Sequence, residues 1–197
     1  HAFLDSALLR LADLSQAYLR EANLRGANLI GADLSRCCLV GADFTGVNAR
    51  EAIAIKADLS QVIISRADLS GANLSAANLT QARLSQVNLR RIDLREANLS
   101  EVCLNDVDLS WSDLRNANLK NVNLSNINLR TANLSQADLC GADLSRANLR
   151  GADLTRAFLR GADLSSANLK EARLNEVDYD ATTRFPVGFR FMRGLQN

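Results

Sequence analysis

The amino-acid sequence predicts an all-β solenoid. Three observations predict it: an unbroken five-residue period, a small residue and a leucine two apart within each unit, and a final segment that abandons the pattern. The period is plainest over residues 132–171. There ANLSQ ADLCG ADLSR ANLRG ADLTR AFLRG ADLSS ANLKE forms eight consecutive units of small residue, Asp or Asn, Leu and two polar residues. Centred on the Leu, the frame runs from residue 4 to residue 179 in 36 units without a slip, and 31 centres are Leu. The exceptions are Phe44, Ala49, Ala54, Ile64 and Tyr179. Two residues before the centre, 25 of the 36 positions are Ala and most others are Val or Ile.

A five-residue period suits neither standard element. On an α-helix each step of five turns about 140°, so the leucines would wind around the cylinder instead of forming a stripe. On an uninterrupted strand an odd period sends successive leucines to opposite faces. A short extended piece with a corner after every five residues satisfies the pattern, with the small residue and the Leu sharing the inner face. If each corner is about a quarter circle, four units close one coil and 36 units make about nine coils. At roughly 4.8 Å per coil the rod is about 43 Å long. Each buried Leu contributes about 1.5–3 kcal/mol against the entropy of ordering.

Tandem A(D/N)LXX resembles the pentapeptide-repeat family over residues 2–181. The resemblance implies a right-handed quadrilateral (square) parallel β-helix. The expected organisation is a β-helix over 1–181 and a C-terminal capping tail over 182–197. The FPVGF of the tail resembles the endings of cyanobacterial members of that family.

Along the chain, Phe3, Leu8, Leu11 and Tyr18 occupy outward positions of the first coil, where a cap or a partner is expected to cover them. Residues 49–64, AREAIAIKADLSQVII, are the weakest part of the frame. Ala49 and Ala54 replace inward leucines, and Leu-to-Ala truncation costs about 2–5 kcal/mol in a packed core. Phe44 is expected to fill part of the gap, or a bulge to rotate Ile53 or Ile55 inward, which makes this the stretch expected to deviate most. Asp and Asn share the position before the centre equally, 13 each. An unbroken Asp column would stack like charges about 4.8 Å apart, so Asn is expected to relieve the repulsion and to hydrogen-bond along the column. Eight glycines two residues after the centre are expected at corners of positive φ. The tail TTRFPVGFRFMRGLQN breaks the period, and Phe185, Phe189, Phe191, Met192 and Leu195 are the residues expected to close that end.

Composition bounds the function. A chain of 197 residues with 47% apolar content suits one domain, and its net charge of +1 predicts no general affinity for nucleic acid. No apolar run approaches the roughly 18 residues of a membrane span, so no membrane insertion is expected. The chain opens on His1 with the repeat already running, which suggests sequence upstream. The cytoplasm is the preferred compartment, with the periplasm or a thylakoid lumen if a signal preceded His1. Cys37, Cys38, Cys103 and Cys140 show no metal-ligand spacing and read as free thiols, with Cys37 and Cys38 on opposite sides of the wall. The sole histidine is His1, and no nucleophile–base pair or phosphate loop is present. No catalytic, metal or cofactor residue is assigned.

Folding the frame into four walls gathers Arg10, Arg50, Arg90, Arg130, Arg150 and Lys170 into one column, near Trp111. These seven residues, with Ile53 and Ile55, are the candidate interaction surface. Asp68, Asp108, Glu51 and Glu171 interrupt the column, and aromatic interleaving is sparse, so nucleic acid is disfavoured. The expected function is a non-catalytic scaffold binding an unidentified protein partner through its walls or ends, as a monomer or weak end-to-end dimer. The resemblance offers an alternative, mimicry of duplex DNA toward DNA gyrase as in the quinolone-resistance members. That role uses a strongly acidic rod, whereas residues 1–181 sum to only −2.

Overall fold

A computed structural model describes residues 2–190. It contains no helix, and parallel bridges join residues 20 apart along the described chain, from Phe3 with Asn23 to Phe158 with Asp178. Each coil therefore holds four pentapeptides and four turns. Within a unit the central amide donates to the next coil, as from Leu24 to the Asp43 carbonyl at 3.0 Å. The amide two residues on does the same, from Gly26 to the Thr45 carbonyl at 2.8 Å. The turn closes when the third amide after the centre donates back, from Ala27 to Leu24 at 3.0 Å. Its third residue has positive φ, as in a type II turn. Gly26 takes it at 64°, and Arg36 takes it at 57° despite its side chain.

The Asp or Asn before each centre holds this turn. Its Oδ1 accepts the amide two residues on, as at Asp33–Ser35 and Asp43–Thr45, both 2.8 Å. The expected amide ladder is present too: Asn78 Nδ2 donates to Asp58 at 3.1 Å, Asn88 to Asp68 at 3.1 Å and Asn128 to Asp108 at 2.9 Å. Inside, the Ala and Leu columns form one continuous buried core.

Residues 49–64 do not bulge. Ala49 and Ala54 are buried in register, Ile53 stays outward and 39% exposed, and Ile55 is half-buried. The ladder through them is intact, with Ala54 donating to Asn73 at 2.7 Å and Lys56 to Ser75 at 3.0 Å. Backbone pairing sets the coil, so missing side-chain volume leaves a void instead of moving the chain. That void is only ≈ 10 Å³, because the buried Phe44 ring fills most of it.

The ladder breaks elsewhere. Strands β1 (Ile63–Ser65), β2 (Arg83–Asn88) and β3 (Cys103–Asp108) form a continuous parallel sheet in the order β1-β2-β3. Between β3 and the following coil, the amides of Glu101, Leu104, Asp106 and Asn123 lack the inter-coil bonds made at equivalent positions elsewhere. The bridge of Cys103 to Asn123 is missing as well, and pairing resumes at Asp108 with Asn128. Leu104 is consequently only half-buried. The cause lies in the inner positions. The 20-residue register stacks Val102 on Val122 and Val107 on Ile127, where Ala is the usual occupant. One such pair is tolerated, since Val87 and Val107 remain in register across β2 and β3. Four β-branched side chains at one step overfill the space and spread the coils.

At the C-terminal end the register lengthens by one, with Asp163 bridging Arg184. Phe185 meets Tyr179 edge-on at 5.5 Å and stacks on Phe189 at 5.1 Å, and both phenylalanines pack against the core. Phe191, Met192 and Leu195 lie outside the described residues. At the other end Phe3, Leu8, Leu11 and Tyr18 face outward and are 81, 87, 69 and 87% exposed. Cys37 is buried, donates to the Leu14 carbonyl, and has its thiol pKa raised by burial, while Cys38 faces the opposite way and is half-buried.

Candidate interaction surface

The bridges that join residues 8, 28, 48, 68 and 88, and then 108, 128, 148 and 168, align one wall. Arg10, Arg50, Arg90, Arg130, Arg150 and Lys170 follow those positions by two residues, so they form a single exposed column. Each from Arg50 on is fixed by its own turn. Asn48, Asn88, Asn128, Asn148 and Asn168 accept the amides of Arg50, Arg90, Arg130, Arg150 and Lys170 at 3.2–3.5 Å. The backbone beneath these five cations is thus set, while the long side chains remain in water.

Pairing along the column is partial. Arg90 lies 3.9 Å from Asp108, and Arg150 lies 3.2 Å from Glu171. The Arg130 guanidinium sits 6.0 Å from the centre of the Trp111 ring, which occupies the corner of this wall with φ of 64° and is 49% exposed. Among the described residues, Arg10, Arg50 and Lys170 have no ion-pair partner. Exposed pairs of this kind are worth only about 0–1 kcal/mol, so the cations remain available to a partner.

The structure brings the basic column and Trp111 together but leaves Ile53 and Ile55 apart. Those two lie on the next wall, aligned with Asp33 and Asn73. It also adds residues that the repeat frame does not single out. Ser70 and Gly71 leave a concavity of ≈ 460 Å³ beside Glu51, Arg90 and Arg91. The readable signal was a small Ser-Gly pair one 20-residue register before an Arg-Arg pair.

The other walls carry closed pairs. Burial raises the pKa of Asp93, but hydrogen bonds from Arg95 outweigh it and hold the carboxyl below its ordinary 3.8. Asp43 behaves alike: burial is overcome by Thr45 and by Arg25 at 3.0 Å. At Asp163 the Ser165 hydroxyl and amide lower the value, with Arg184 adding to them. These carboxylates hold turns and ladders. Among the described residues no three His, Cys, Asp or Glu side chains converge to hold a metal ion.

Comparison with known proteins places this geometry. The profile described as Pentapeptide repeats matches in 8 copies over residues 7–46, 42–81, 72–110, 108–146 and 142–178. No curated protein matches the chain. Among solved structures, HetL from the cyanobacterium Nostoc sp. strain PCC 7120, a pentapeptide repeat protein involved in heterocyst differentiation regulation, is 32% identical. The match covers 84% of this chain and 86% of HetL, with a TM-score of 0.50. A trypsin-treated variant of QnrB1, a plasmid-mediated fluoroquinolone resistance protein, matches over 86% of this chain and 89% of its own at a TM-score of 0.72. At 18% identity that likeness shows the fold alone. Repeat frame, 20-residue register and profile agree: the chain belongs to the pentapeptide-repeat family and folds as that family's right-handed β-helix.

Proposed function

We propose that the protein is a non-catalytic scaffold that binds a protein partner through the basic wall, with Arg50, Arg90, Arg130, Arg150 and Lys170 contacting an acidic surface beside Trp111. Four turns per 20 residues support a square cross-section of about nine coils over residues 1–181, with 182–197 as its cap. The observation that carries the functional reading is the column of cations on backbone fixed by Asn turns. A partner meeting it finds charges at set intervals of about 4.8 Å or its multiples, so little backbone ordering remains to oppose binding. Exposed Trp and Arg are the residue types on which interface energy concentrates. Involvement of HetL in regulation of differentiation is consistent with a scaffold acting through partners.

The test is affinity capture from the source organism, comparing wild type with Arg90→Glu/Arg130→Glu. Loss of a specific protein from the variant, with thermal stability unchanged, supports the reading. An identical set of captured proteins removes the basic wall from the account. The gyrase-directed reading is disfavoured by the near-neutral charge, and measured protection of gyrase from a quinolone would reverse that judgement.

A further inference from the structure

The break between β3 and the next coil is an opening of ≈ 550 Å³ that runs from Leu104 and Asn123 to Asp108 and Asn128, the last two of which belong to the wall of the basic column. Its two lips are unpaired strand edges. One presents the amides of Leu104 and Asp106, and the other presents that of Asn123. In every regular coil such amides alternate with carbonyls to pair with a neighbouring parallel strand. Half-buried Leu104 gives the opening an apolar floor, with the buried Val107 and Ile127 behind it. Asp106 and Asp108 line it, and no Lys or Arg does.

We propose that this opening binds an extended, cationic polypeptide segment as an added strand. Three features select that occupant. Alternating unpaired amides and carbonyls match a polypeptide backbone and are satisfied together only by another strand. Size agrees, because strand spacing, sheet spacing and rise give about 160 Å³ per extended residue, so the opening holds roughly three residues. Charge agrees too, because the lining carries two carboxylates and no cation, and Arg90 beside it comes no closer than 3.9 Å to Asp108. An aliphatic side chain of the segment lies on Leu104, and its flanking Arg or Lys residues meet Asp106 and Asp108. The site borders the basic wall at Asp108 and Asn128 but takes none of its cations into the lining, so either proposal can fail without the other.

The probe is the acetylated, amidated pentapeptide Arg-Ala-Asn-Leu-Arg, a sequence the chain itself carries at 146–150. Residue-resolved amide exchange is measured on the full chain with and without it. Without peptide, the amides of Leu104, Asp106 and Asn123 exchange fast; with about 1 mM peptide they slow by at least roughly tenfold. The variant Val107→Ala/Ile127→Ala returns the inner positions to the usual Ala, closes the opening, protects those amides by itself and binds no peptide. Arg50→Glu, on the basic wall, leaves peptide binding unchanged, whereas a Glu-flanked peptide binds at least about tenfold more weakly. Unchanged exchange at saturating peptide overturns the proposal. So does protection of the three amides in the free protein, or equal peptide binding by the closed variant.

Discussion

Residues 49–64 and residues 101–128 depart from the repeat in opposite directions. The first stretch lacks two core leucines, yet its backbone is regular, with every inter-coil bond in place through residues 49–56 and a void of only ≈ 10 Å³. The second keeps every central Leu, yet its coils separate over four inner Val and Ile residues. A solenoid built on backbone pairing absorbs missing volume, because a void costs energy without exerting force on the chain. Excess volume at the thin inner position acts directly on the coil spacing of about 4.8 Å and opens the ladder.

The largest effect that sharpens this contrast is expected from core truncation. Leu134→Ala, in the regular stretch, loses about 2–5 kcal/mol in denaturant unfolding, whereas Leu104→Ala, at the opening, loses less than about 2 kcal/mol. Equal losses would mean that Leu104 is packed like its neighbours.

Restoring the consensus in the first stretch comes next. Ala49→Leu destabilises by about 1–3 kcal/mol, because the remaining void cannot take a leucine side chain while Phe44 occupies it. Combining it with Phe44→Leu recovers at least half of that loss. Additive losses in the double-mutant cycle would break the claim that Phe44 supplies the missing volume.

Acid separates the regions more weakly. Asp43, Asp93 and Asp163 have pKa values lowered in the folded state. Their stabilisation is therefore present above the ordinary value of 3.8 and lost as pH falls below it toward the folded values. Thermal melts at falling pH should show a drop confined to that acid range, and Asp93→Asn should reduce it. A melting temperature independent of pH below 4 would remove these carboxylates from the stability account.

Corners give the smallest effect. Gly141→Ala destabilises by about 1 kcal/mol, because φ is 67° and the added methyl meets the Asn121 carboxamide. Arg146→Gly, at a φ of 58°, gains up to about 1 kcal/mol from the same preference. Denaturant midpoints check both.

Much of the fold was legible in the residues themselves. The Leu and Ala columns, the outward first-coil residues, the Asn ladder and the glycine corners follow from a period that admits one backbone path. The turn-holding role of each Asp and Asn was not anticipated, because a column of carboxyls and amides explains itself by stacking before any local bond is considered. At 49–64 the expected filling by Phe44 holds and the alternative bulge does not, because lost side-chain volume exerts no force on a paired backbone. The opening at 101–128 escaped notice because Val and Ile satisfy the inner position one at a time. Their effect emerges only when the 20-residue register places Val102 on Val122 and Val107 on Ile127. The basic column was legible for the same geometric reason, whereas the Ser70–Gly71 concavity needed two neighbouring coils to be read together.

The most direct measurement is residue-resolved amide hydrogen exchange of the free protein. Ala54 and Lys56 are expected to be protected as well as the amides of 132–171, while Leu104, Asp106 and Asn123 exchange at least about a hundredfold faster. Fast exchange at Ala54 and Lys56, or full protection at the other three, would contradict this contrast.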